Sequence, residues 1–245
     1  MRNSKNLLKM ITLSMLIALG VVISPILRVE GMCPMAHFIN IVCSVFLGPW
    51  YSLLCATLIG IIRMITMGIP PIALTGAVFG AFLSGVFYRA SKGRIIFAVL
   101  GEVIGTGIIG AILSYPVMTF LWGKEGLSWL FYVPSFICGT LIGGSIAYVF
   151  LRKFAANGML VRIQTMLGSQ SYPDHTSILS NTLTIAACGG ILFVVIELAS
   201  NIFQLTGVIW DKLSYVSLIL CAAAAILYYI IKKVKTSTKA VRHTL

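Results

Sequence analysis

The chain has 245 residues, of which 59% are hydrophobic and only 10% charged, with 18 Lys and Arg against 6 Asp and Glu. A water-soluble domain needs roughly a quarter of its residues charged, so water is not the main solvent of this protein. The net charge of +12 does not point to nucleic acid, because the basic residues fall in short clusters between apolar runs. Clusters so placed orient a membrane protein and meet anionic headgroups.

Apolar runs of about 20 residues, enough for a helix to cross the hydrocarbon core, recur along the whole chain. Lipid satisfies no open backbone, and the alternation of a membrane barrel is missing, so the spans are helices. The reading is an all-α integral membrane protein with spans at 9–27, 36–48, 50–67, 71–88, 95–115, 127–151, 178–206 and 213–231. The N-terminal Arg2, Lys5 and Lys9 precede an apolar stretch as in a signal peptide. No small-residue cleavage site follows, so the first stretch is read as a retained span.

The run 36–67 is broken only at Gly48-Pro49. As one helix it would be about 48 Å long, far more than a bilayer needs. It would also invert every later loop. Two short helices meeting at Gly48-Pro49, with Trp50 and Tyr51 in the interfacial belt, satisfy both constraints.

With the N-terminus inside, the cytoplasmic segments carry Arg2, Lys5, Lys9, Arg89, Lys92, Arg94, Arg152, Lys153, Arg162, Lys232, Lys233, Lys235, Lys239 and Arg242. Only Arg28, Arg63, Lys124 and Lys212 fall outside. This asymmetry predicts a multi-pass plasma-membrane protein with both termini cytoplasmic. The organisation expected is a six-span substrate-binding unit (1–151), a cytoplasmic linker (152–177) and a two-span appendix with a basic tail (178–245). The linker is marked by Gly158, Gly168, Ser169, Ser171 and Pro173. No GxxxxGK[ST] signature occurs, so any ATP-driven step must come from a partner.

Five of the six cysteines lie inside apolar runs, and only Cys33 falls in a loop. That pattern predicts neither a disulfide framework nor a metal site.

Polar residues at membrane depth are costly and therefore informative. His37 and Asn40, three apart on one helical face, begin the second span. Arg63, Thr75, Tyr115, Pro116, Trp129 and Tyr132 fall toward the same side. Together they read as an outward pocket for a small, mostly apolar ligand. An interfacial aromatic belt with Arg63 snorkelling is the competing reading. Glu102 stands in Gly101-Glu-Val-Ile-Gly-Thr-Gly-Ile-Ile-Gly110, with Thr106 on its face and glycines that admit a close neighbour. A pair between Glu102 and Arg63 is possible, though Arg63 reads about 10 Å higher. Small residues four apart, at Ser14 and Ala18, Gly76 and Gly80, and Gly139 and Gly143, read first as helix packing. Ser14 and Ala18 are also candidates for docking a partner. Glu197 and Asn201 read as interfacial or packing groups.

These motifs, Cys33-Pro-Met-Ala-His37-Phe-Ile-Asn40, Leu47-Gly-Pro-Trp50-Tyr51, Gly60 with Arg63, Gly101-Glu102 through Gly110, and Tyr115-Pro116, resemble those of the ThiW family. Its members are thiazole-specific substrate-binding (S) components of energy-coupling-factor transporters. The resemblance covers about residues 10–151 and implies a six-helix unit that captures hydroxyethylthiazole, a thiamine precursor, from outside. It further implies a transmembrane coupling subunit and two cytoplasmic ATPases as partners. Ser14-Met-Leu-Ile-Ala18 matches the family's small-residue docking motif, with Ser for its first Ala. The appendix departs from the family pattern.

On this reading His37, Asn40, Glu102, Thr106, Tyr115 and Trp129 bind substrate, Ser14 and Ala18 couple to the partner, and no cofactor or metal is needed. Stacking rings and a few hydrogen bonds suit a neutral heteroaromatic alcohol. With one embedded cation, the phosphate of that alcohol is expected to bind more weakly. A proton-coupled transporter using Glu102 is the alternative. An intramembrane enzyme using His37 and Glu102 lacks a nucleophile and a metal-ligand cluster.

Overall fold

The computed structural model describes residues 2–26, 28, 33–172 and 208–242, together with 178, 181–183, 185, 186, 189 and 196. Among them there are helices and no strand. The chain divides into two compact units, Met1–Asp174 and His175–Leu245.

In the first unit the helices run α1 (Arg2–Ile26), α2 (Pro34–Leu47), α3 (Pro49–Met67), α4 (Ile72–Ala90), α5 (Ile95–Leu121), α6 (Val133–Ala156) and α7 (Met159–Leu167). The second unit contributes α8 (Val208–Arg242). Among the described residues six helices, all but α2 and α7, are long and apolar enough to cross a membrane. The protein is thus an all-α membrane protein, as its composition requires. Most of the span expected at 178–206, with Glu197 and Asn201, lies outside the described residues.

The break at Gly48-Pro49 separates α2 from α3. Gly48 takes φ +96°, a conformation that L side chains rarely adopt, and a Cβ there would run into the Arg89 guanidinium. Pro49, which has no N–H to lose, opens the next helix.

At 14 residues α2 is about 21 Å long, short of the hydrocarbon core. It is buried at every position except Met35 and Phe38, because α1, α3, α4 and α6 pack around it. A helix apolar on all sides belongs in the middle of a bundle. Its short length leaves space beyond its first turn.

Two span boundaries move. Helix α5 does not stop at Tyr115-Pro116 but continues to Leu121. Beyond Pro116, whose ring removes one donor, residues Val117–Leu121 adopt the wider π-helical winding, which carries the chain past the proline. Helix α6 begins at Val133 rather than 127 and ends at Ala156. Trp129 and Tyr132 therefore precede the helix. Between α5 and α6 the chain turns through Gly123 and Gly126, both at positive φ.

Residues 152–177 include the end of α6 and all of α7. Helix α7 buries Leu160, Gln164 and Leu167. The Gln164 Nε2 donates to Val45 O at 2.9 Å and to the Tyr88 hydroxyl at 3.0 Å, fastening α7 beneath α2 and α4.

Candidate functional site

Glu102 is fully buried, the eighth residue of α5 and so about 10 Å along it. Three side chains converge on its Oε1. His37 Nδ1 lies at 2.9 Å, Asn40 Nδ2 donates at 3.1 Å, and Thr106 Oγ1 donates at 3.1 Å. His37 and Asn40 come from one face of α2, and Thr106 from the next turn of α5. With Oε1 as acceptor the imidazole proton sits on Nδ1, which leaves Nε2 as an acceptor. The cluster is anchored in turn, since Ser52 Oγ donates to Asn40 O at 2.9 Å.

The carboxylate fits because α4 has no side chain opposite it. A Cβ on Gly80 would collide with Thr106 Oγ1 and lie 2.8 Å from the Glu102 carboxyl carbon. A Cβ on Gly105 would lie 2.6 Å from Gly80 Cα. Helices α4 and α5 thus meet backbone to backbone, the close approach that small residues permit. Here α5 is π-helical over Val103–Gly110, a winding that often marks functional sites.

A cavity of ≈ 80 Å³ opens beside this cluster, several times the ~10–15 Å³ that one water needs. Its walls are Cys33, Ala36 and His37 from the start of α2, Ile72, Ala73, Gly76 and Ala77 from α4, and Ser135 and Phe136 from the start of α6. Thr106 of α5, Arg63 of α3, Ile69 and Arg28 complete it. Of the residues expected to bind substrate, His37 and Thr106 line the cavity. Asn40 and Glu102 stand behind them in the hydrogen-bonded cluster. Tyr115 and Trp129 pack on each other with ring centroids 4.5 Å apart and are not part of the wall. The aromatic ring in the wall is Phe136, at a helix start where its apolar run gave it no distinction.

Arg28, assigned to an outer loop and exposed, lines the same cavity as Arg63. Arg63 is 4% exposed. Its Nη2 reaches Cys33 Sγ at 3.4 Å, and its buried Nε has no partner. The partner of Glu102 is His37 rather than Arg63. Among the described residues no cluster of His, Cys, Asp or Glu could hold a metal ion. Ser14 and Ala18 lie on the exposed face of α1, among Ile11, Met15 and Val22.

A family model described as thiamine-precursor transporter protein (ThiW) matches residues 10–157. Neither the curated proteins nor the solved structures contain a match.

Proposed function

Since the chain belongs to the ThiW family of thiamine-precursor transporters, we propose that it is the substrate-capture component of an ATP-driven uptake system and binds hydroxyethylthiazole from outside. The observation that carries this reading is the cavity itself. One wall is a polar cluster held rigid by Glu102, another is apolar, and Phe136 contributes a ring to it. A heteroaromatic ring stacks on an aromatic face, and a ligand hydroxyl is met by His37 Nε2 or Thr106 Oγ1. Isothermal calorimetry on the purified protein checks this without ATP or partners. Hydroxyethylthiazole is expected to bind, and His37→Ala to weaken it by about 1–3 kcal/mol. Asn40→Ala is expected to act similarly through the cluster. No binding of any thiazole would sink the assignment.

The chain has no nucleotide-binding signature, so a transmembrane coupling subunit and two cytoplasmic ATPases supply the energy. Their docking surface includes Ser14 and Ala18, small and exposed on α1. Leucine or tryptophan at both positions should block close helix approach. Partner-driven uptake is then expected to fail while the isolated protein binds normally; survival of both would remove the pair from the docking surface.

The direction of capture rests on the basic loops. Cysteine labelling is expected to find Lys92, Lys153 and the C-terminus in the cytoplasm and Lys124 outside, when each is replaced by a reactive cysteine. An external C-terminus would reverse the direction. One further reading, a proton-coupled carrier, is favoured only by the buried His37–Glu102 pair. Uptake by the chain alone, collapsed by a protonophore, would select it.

A further inference from the structure

We infer that the cavity contains an anion subsite centred on Arg63, and that the preferred ligand carries a phosphate. On the proposed reading this is the phosphate monoester of the thiazole alcohol. The inference deepens that reading and rests on it for the ring, though not for the anion.

Arg63 is the principal observation. A guanidinium presents five donors and no acceptor, and burying one is costly unless it is paired. Among the described residues Arg63 has no carboxylate within ion-pair range. Its hydrogen bond is to the weak acceptor Cys33 Sγ at 3.4 Å, and its buried Nε has none. The side chain is nonetheless part of the cavity wall, with Arg28 beside it.

The backbone supplies the second argument. Ala36 and His37, Ile72 and Ala73, and Ser135 and Phe136 belong to the first turns of α2, α4 and α6, and all six line the cavity. A helix N-terminus carries a partial positive charge and favours anions. Three such ends meet at a cavity that Arg63 and Arg28 also line. No Asp or Glu lines the cavity among the described residues. The one buried carboxylate nearby, Glu102, sits behind His37 and Thr106, with Oε1 committed to that cluster. A phosphate on the ligand hydroxyl supplies acceptors in the tetrahedral arrangement that guanidinium groups bind through paired N–H donors.

Calorimetry comparing hydroxyethylthiazole, its phosphate monoester and inorganic phosphate tests the subsite, in detergent and in phosphatidylglycerol nanodiscs. The ester is expected to bind about tenfold or more tighter than the alcohol, with the preference falling as salt rises. Arg63→Gln should abolish the preference for the ester over the alcohol, while Arg63→Lys should restore part of it. If Arg63→Gln binds neither compound, Arg28→Gln decides, since its position is exposed. Loss of the preference there supports the subsite, and an unchanged preference overturns it. Equal or weaker binding of the ester by the unaltered protein overturns the anion subsite while leaving the thiazole reading intact. If neither thiazole binds, that reading fails. Arg63-dependent binding of inorganic phosphate would then still support the subsite, and its absence would overturn it. A preference seen in detergent and absent in phosphatidylglycerol nanodiscs assigns the guanidinium to lipid headgroups and also overturns it.

Discussion

Gly105→Leu is expected to abolish thiazole binding, and Gly105→Ala to reduce it more than tenfold. Any Cβ at Gly105 meets backbone, with Gly80 Cα, Gly80 N and Phe79 O all 2.6 Å away. Backbone atoms of a packed helix cannot rotate aside as a side chain can, so α4 and α5 must separate. Overpacking of this kind costs about 1–3 kcal/mol, occasionally more. The separation falls on the turn that carries Thr106 and faces Glu102, so its cost reaches the binding site directly. Gly107→Ala is the control, since a Cβ there meets first the Ile137 side chain, at 3.0 Å. That side chain can adjust, and binding should stay within about threefold. Comparable loss in both variants would mean that the glycines of α5 tolerate or resist bulk uniformly, and that the contact with Gly80 holds no special place.

Much of this fold is legible in the residues because lipid leaves few choices. Apolar runs had to be helices, and the Gly48-Pro49 break was legible because the run around it was too long for one span. Pro116 misled for a local reason, since a proline normally ends a helix by removing a donor and crowding the preceding turn. The π winding that lets α5 continue has no signature in residue type. His37 and Glu102 each stood out as polar groups in an apolar run. Their contact across 65 positions depends on how α2 packs against α5, which no periodicity encodes. Arg28 and Phe136 were invisible as site residues for the opposite reason. A loop arginine and a phenylalanine in an apolar helix are ordinary until helix starts bring them to one cavity.

Glu102→Gln is expected to weaken thiazole binding at least tenfold, although Glu102 does not line the cavity. Its Oε1 is the shared acceptor for His37, Asn40 and Thr106, and the first and last of these are wall residues. Hydrogen bonds to a charged group contribute about 1.5–3 kcal/mol each. A glutamine keeps one acceptor oxygen but brings an amide N–H₂ into the buried site, where the present Oε2 has no partner and Gly80 offers no side chain. The imidazole then has only a neutral amide oxygen to fix its tautomer, and Nε2 is held less firmly ready for a ligand. Glu102→Ala should be worse, because three buried donors lose their acceptor at about 1–3 kcal/mol apiece. General destabilisation would also weaken binding, so the decisive measurement is a double-mutant cycle. If Glu102 acts by positioning His37, then His37→Ala should cost much less in the Glu102→Gln background than alone, with a coupling of about 0.5–3 kcal/mol. Losses that simply add would show that the two residues serve binding independently, and that the carboxylate is a packing group of the α2–α5 contact.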